Sequence, residues 1–189
     1  MNLNILIVGV GGQGTLLASR ILGDFAQINN FDCKLSEVHG MAQRGGSVVT
    51  YVKMGDKINS PIIYPETCDV VLSFEKLEAL RYSHFIKNGG TIIYNDYKIM
   101  PLPVVTGAME YPNDIELRLT KITKNVVRLN ADELSKKVGS NKVLNVIMLG
   151  KLCKTLNLDK LSFENAIKNT VPKQHLDVNL KAFETGYNA

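Results

Sequence analysis

The sequence predicts an α/β protein: a three-layer, doubly wound, mostly parallel sheet followed by a helical C-terminal segment. Three observations carry that prediction. Over residues 1–130, short β-branched runs alternate with helical patterns, as in sheets covered on both faces. The first run passes directly into a cluster of glycines and then into an amphipathic stretch. Beyond about Ala131 the strand-like runs stop and helical periodicity takes over. With 189 residues and 45% hydrophobic content, the chain suits one compact unit over 1–189, with an α/β core at 1–130 and a helical part at 131–189.

In chain order, Leu3–Val8 is a continuous apolar run that ends at glycine, and a helix follows over Gln13–Ile28. Cys33–Val38 and Ser47–Lys53 supply the second and third strands. Asp69–Phe74 and Thr91–Tyr94 supply the fourth and fifth, with a helix at Glu75–Ile86 between them. Weaker strand-like runs occur at Leu102–Val105 and Val126–Leu129, on either side of a helix near Asp114–Ile122. The later helices are Asp132–Val138, Lys142–Leu156, Ser162–Thr170 and Lys173–Tyr187. The second of these is apolar nearly all round, so it belongs in the interior, where Gly150 permits a close approach. Pro61, Pro65, Pro101, Pro103 and Pro112 punctuate loops, and Pro172 divides the last two helices. Right-handed crossovers then place a ligand crevice at the strand C-termini.

Two stretches carry chemistry. The first is Gly9-Val10-Gly11-Gly12-Gln13-Gly14, a strand-to-helix turn of Rossmann-like character. Glycines there let a ligand reach the backbone, and the helix N-terminus behind them offers free N–H groups to an anion. Gln13 adds a donor and an acceptor. The alternative is a packing turn that binds nothing. The second stretch, Ser36–Ser47, places Glu37, His39, Gln43 and Arg44 among Gly40, Gly45 and Gly46, where a loop ordinarily holds inert turn residues. Arg44 presents a rigid fork for carboxylate or phosphate. Glu37 stands where an acidic residue commonly accepts hydrogen bonds from a ribose. His39 either relays a proton or only hydrogen-bonds. Glu75, Asn95 and Asp96 follow strands at the same edge and read equally well as crevice residues or as helix-start and turn residues. His84 and His175 read as ordinary surface or packing histidines.

Composition narrows the function. The cysteines Cys33, Cys68 and Cys153 are scattered, with no Cys-x-x-Cys pair, so neither a disulfide framework nor a metal or iron–sulfur site is expected in this chain. Each reads as a small buried apolar side chain, with Cys33 placed nearest the crevice. Residues 1–117 carry 9 Lys+Arg against 12 Asp+Glu, whereas residues 118–189 carry 13 against 6. The basic half suits either a solvated helix face or an acidic partner. Aromatic content of 7% and the lack of Trp argue against nucleic-acid binding. No secretory leader or membrane span is legible, so a cytoplasmic chain is expected.

In these two stretches the sequence resembles the gamma components of the 2-oxoacid:ferredoxin oxidoreductases. The ending Asn179-Leu180-Lys181-Ala182-Phe183-Glu184-Thr185-Gly186-Tyr187 adds to the match, and the likeness spans essentially all 189 residues. The 36–47 stretch is the more specific signal. Pyruvate-type gamma components generally show a Tyr-Gly-type sequence before Arg-Gly-Gly, so His39-Gly40-Met41-Ala42-Gln43 points to the indolepyruvate, or aryl-pyruvate, branch. The resemblance implies oxidative decarboxylation of a 2-oxoacid to an acyl-CoA with ferredoxin reduction. Thiamine diphosphate and the iron–sulfur clusters would sit in a larger partner subunit. This chain would cover the partner's active site and contact coenzyme A, with Gly11, Gly12, Gln13 and Gly14 on the polyphosphate and Arg44, Gly45 and Gly46 facing the coenzyme or the partner. It would be inactive alone, and when isolated it is open to homodimerisation through surface the partner normally covers. Two alternatives stand beside this: a freestanding NAD(P)- or FAD-dependent dehydrogenase with Glu37 on the adenosine ribose, and a pure interaction module.

Overall fold

The structure is a computed structural model that describes residues 2–40 and 45–189. Its first part comprises β1 (Leu3–Val10), α1 (Thr15–Ile28), β2 (Asp32–His39), β3 (Ser47–Gly55), β4 (Cys68–Ser73), α2 (Lys76–Arg81) and β5 (Ile86–Asn95). A one-turn α3 (Leu102–Val105), α4 (Ile115–Ile122) and β6 (Asn125–Leu129) follow. Helices α5 (Ala131–Val138), α6 (Leu144–Thr155), α7 (Lys160–Thr170) and α8 (Leu176–Tyr187) complete the chain.

Among the described residues, six strands form one sheet in the order β2-β3-β1-β4-β5-β6. β1, β4, β5 and β6 pair in parallel, while β3 lies antiparallel between β1 and β2. Only β3 is therefore reversed, and the mostly parallel, doubly wound expectation holds. The register brings Val10 opposite Ser47, Val8 opposite Ser73, Ser73 opposite Tyr94 and Asn95 opposite Leu129. One edge thus collects the C-terminal ends of the parallel strands together with the start of β3.

Strand periodicity divides the core into two layers. Ile5 and Ile7 of β1 pack with Ile21, Phe25, Ile147, Phe163 and Phe183 of α1, α6, α7 and α8. Leu6 and Val8 point the other way, toward Ala79, Ile115 and Leu119 of α2 and α4. All of these side chains are essentially fully buried. Helix α6 is interior, as its apolar circumference requires, and Gly150 lies against the backbone of α8.

The structure corrects two details of the sequence reading. Leu102–Val105 is a turn of helix rather than a strand. Pro101 and Pro103 bracket its start, and β5 and β6 pair directly, which leaves no place for a strand between them. Cys33 lies opposite Met54, at the end of the sheet far from the glycine turn. No helix of the described residues is long and apolar enough to cross a membrane.

Candidate functional site

The glycine turn is held in shape from within. Gln13 folds back so that its Oε1 accepts the Val10 N–H at 2.7 Å, while its Nε2 donates to the Phe74 carbonyl at 3.0 Å. Its amide therefore clips the end of β1 to the end of β4. A Cβ at Gly9 would stand 2.8 Å from that Gln13 Oε1 and 3.3 Å from the Phe74 Cβ, so the clip needs a glycine beneath it. Gly12 and Gly14 adopt φ of +101° and +84°, a region costly for any residue with a Cβ. Gly14 is also the N-cap of α1, and no side chain caps that helix start. The N–H groups of its first turn remain available to an anion.

The second stretch meets the first at this turn. The Gly11 N–H donates to the Gly46 carbonyl at 2.8 Å, stitching the two glycine segments together. Met41, Ala42, Gln43 and Arg44 lie outside the described residues. Glu37 and His39 are close by on β2. The Glu37 Oε2 accepts from the hydroxyls of Thr15 at 3.1 Å and Thr50 at 2.9 Å, so the first residue of α1 is tied to the neighbouring strands. His39 is exposed, with Nδ1 3.2 Å from the Gly40 carbonyl.

Two grooves flank the turn. One, of about 360 Å³, is lined by Gly11, Gly12, Gly14, Thr15, Glu37 and His39. The other, of about 540 Å³, runs from the same glycines to Tyr97, Ile99, Asn141, Lys142 and Asn145. The Asn145 Nδ2 donates to the Gly14 carbonyl at 3.1 Å, and a Cβ on Gly14 would sit 2.6 Å from that nitrogen. Lys142 and Asn145 reach the site across more than a hundred residues of chain. No local motif marks them, and they enter only because α6 packs beneath α1. Glu37 lines the first groove, whereas the second holds both Asp132 and Lys142. Lys142 is the one Lys or Arg among the described residues lining either groove, and it draws an anionic group on the turn to its side.

Three other residues predicted at this edge have structural work. Asn95 is fully buried; its Nδ2 donates to Phe74 and Asp132, and its Oδ1 accepts the Ala131 N–H at 2.9 Å. Partial burial works to raise the pKa of Asp96, but hydrogen bonds from Lys76 and Arg128 outweigh it and hold the carboxyl below its ordinary value. Glu75 is 1% exposed and caps α2, its Oε2 accepting the Glu78 N–H at 2.9 Å. Its Oε1 accepts from the Ile99 N–H at 3.0 Å and the Tyr111 hydroxyl at 3.2 Å. Glu78, also buried, accepts from the Ser47 hydroxyl and from Arg81 Nε. These two carboxylates brace the start of β3 and the segment after β5.

Burial pushes Glu75 above its ordinary 4.5, against the backbone hydrogen bonds that favour its anion. The folded state therefore holds this proton more tightly than the unfolded chain does. Relative to a non-titrating Glu75→Gln reference, wild-type stability is expected to be greatest below pH 4.5, to fall as pH rises through the raised value, and then to level off. Urea unfolding of both proteins from about pH 4 to about pH 8 reads this difference. A difference that grew in favour of wild type across that range would contradict the assignment.

The cysteines have no part in the site. Burial pushes the Cys33 thiol up to about 11 and the Cys68 and Cys153 thiols up to about 12, so none is a ready thiolate. Among the described residues, no group of three or more His, Cys, Asp or Glu side chains is placed to hold a metal ion. His84 and His175 lie away from the grooves, on short turns, as ordinary surface histidines.

Comparison with known proteins identifies the family and the fold. The pyruvate ferredoxin/flavodoxin oxidoreductase family matches residues 4–189. The indolepyruvate oxidoreductase subunit IorB of Archaeoglobus fulgidus is 40% identical over 192 aligned positions, covering 100% of this chain and 95% of that protein. A pyruvate oxidoreductase subunit PORC from Thermotoga maritima has the same fold, with a TM-score of 0.75 at 20% identity over 99% of this chain and 96% of that one. A 2-oxoglutarate:ferredoxin oxidoreductase from Magnetococcus marinus, solved with 2-oxoglutarate, coenzyme A and succinyl-CoA bound, aligns with a TM-score of 0.73 at 17% identity. That match covers 99% of this chain and 30% of the larger one.

Proposed function

This chain belongs to the pyruvate ferredoxin/flavodoxin oxidoreductase family, and on that premise we propose that it is the coenzyme-cradling subunit of an indolepyruvate-type 2-oxoacid:ferredoxin oxidoreductase. The observation that carries the reading is the α1 N-terminus. It opens behind two left-handed glycines with no side-chain cap, and Lys142 lies in the adjoining groove. Such a start suits a diphosphate, because its N–H groups and the positive end of the helix dipole converge on one point. The coenzyme A diphosphate would lie over Gly12–Thr15 on the Lys142 side. Glu37, on the other side, would face hydroxyl groups rather than phosphate. Arg44, Gly45 and Gly46 would face the coenzyme or the partner's site.

In this reading the larger subunit holds thiamine diphosphate and the iron–sulfur clusters, which supply decarboxylation and electron transfer to ferredoxin. This chain orients the coenzyme and excludes water from the shared site. The IorB relatives, 36–40% identical over nearly the whole chain, support the aryl-pyruvate substrate class. The Magnetococcus enzyme, part of which shares this fold, was solved with coenzyme A bound, in keeping with the ligand class proposed.

The test is reconstitution with the larger subunit. Replacing Arg44 or Lys142 by Ala is expected to raise the KM for coenzyme A roughly tenfold, with little change in the KM for the 2-oxoacid, as loss of one charge-assisted phosphate contact would. An unchanged coenzyme KM in both variants would remove the proposed cradle. Titration of the wild-type chain with coenzyme A, NAD and FAD separates this reading from the dehydrogenase and interaction-module alternatives.

A further inference from the structure

Between β5 and β6 the chain leaves the sheet edge for an excursion over residues 96–114. It is anchored at both feet. Glu75 accepts from Ile99 N–H and Tyr111 hydroxyl, the Lys76 N–H donates to the Tyr97 carbonyl at 3.0 Å, and the Lys98 ammonium lies 4.0 Å from the centroid of the Tyr111 ring. Pro101, Pro103 and Pro112 stiffen the path. Yet its middle turns apolar side chains to solvent: Leu102 is 73% exposed and Val105 68%, with Met100 and Met109 also exposed. Beneath it, an apolar groove of about 710 Å³ opens between the arm and α2 and α4, lined by Leu77, Leu80, Pro103, Val104 and Met109. A buried carboxylate holds an exposed apolar surface in one fixed shape. A clustered apolar surface of this kind marks an interaction site.

We infer that this arm is the docking surface for the larger, thiamine diphosphate-bearing subunit, an inference that rests on the function proposed above. Two features select this occupant. Across the exposed middle of the arm, residues 99–109 carry no charged side chain, while Arg81, Glu110, Asp114 and Arg118 are among those lining the groove beneath, so the arm calls for a partner patch with an apolar centre and a polar border. Its foot is also continuous with the site: Tyr97 and Ile99 line the Lys142 groove, and whatever seats on the arm closes that groove. A second copy of this chain would bring only another cradle to that position. The larger subunit would bring the reacting centre. Docking here sets the partner against the coenzyme groove.

The experiment measures affinity between this chain and its purified larger subunit, using wild type, the double variant Leu102→Asp/Val105→Asp, and Leu161→Asp, an exposed leucine on α7 across the sheet. Because all three residues are solvent-exposed, the fold should persist, and a thermal melt of each chain checks it. The arm variant is expected to bind about tenfold or more weaker, and Leu161→Asp within about twofold of wild type. Arm-variant binding equal to wild type would overturn the docking inference while leaving the proposed function standing. So would loss of self-association in the arm variant with subunit affinity unchanged. Failure of the wild-type chain to bind the larger subunit at all would overturn both.

Discussion

Gly150→Ala is expected to destabilise the protein by about 3 kcal/mol or more, because helices α6 and α8 meet there backbone to backbone. A Cβ at Gly150 would overlap the Phe183 carbonyl oxygen and stand 2.8 Å from the Tyr187 nitrogen. The same approach recurs from the other side, where a Cβ at Gly186 would overlap the Ile147 carbonyl. No rotamer change relieves a clash with backbone, so the helices must separate and the layer holding Phe163 and Phe183 must loosen. For a chain of this size the loss corresponds to a fall in Tm of roughly 6–12 °C. Gly23→Ala offers a contrast within the same layer. Its Cβ would meet only the Leu35 side chain at 3.3 Å, and alanine favours the helix, so the change is expected to be within about 1 kcal/mol of neutral. Urea unfolding of the two variants reads the difference. Equal stabilities would show that the α6–α8 contact is not the constraint described.

The second large effect falls on function. Gly14→Ala puts a Cβ on a residue at φ +84° and drives it to 2.6 Å from the Asn145 amide nitrogen, which at present donates to the Gly14 carbonyl. The backbone strain alone costs about 1–2 kcal/mol, a change that leaves the protein folded. The start of α1 must shift or turn away, however, and with it the N–H groups proposed to face the coenzyme diphosphate. A displacement near 1 Å is enough to lower kcat/KM for coenzyme A about a hundredfold in the reconstituted complex. Turnover within about threefold of wild type would mean that the helix N-terminus does not set coenzyme geometry, and the cradle would have to lie elsewhere.

The sequence was a good guide wherever the determining forces are local. The Leu3–Val8 run, the glycine turn and the period of α1 follow from burial on both sheet faces and from the conformational freedom of glycine, so their places were legible. The all-round apolarity of α6 foretold its interior position and the role of Gly150. Leu102–Val105 misled because valines and leucines in a short run look the same whether a strand or a helical turn follows. The flanking prolines decide, together with the lack of a neighbouring strand to pair with. Gln13 looked like a ligand donor from its place at a helix start. Only the approach of Phe74, just after β4, turned its amide inward as a clip.

By itself the chain's order of residues determined the strands, the crevice edge and the two glycine segments, since each depends on near neighbours and on side-chain periodicity. Packing alone decided the reversal of β3, which carries the second glycine segment to Gly11. It likewise decided the arrival of Lys142 and Asn145 beside Gly14, and the burial of Glu75 under the arm. Those contacts join segments tens to more than a hundred residues apart. Their geometry is fixed by how two layers of helices close over a twisted sheet, which no local stretch of sequence encodes.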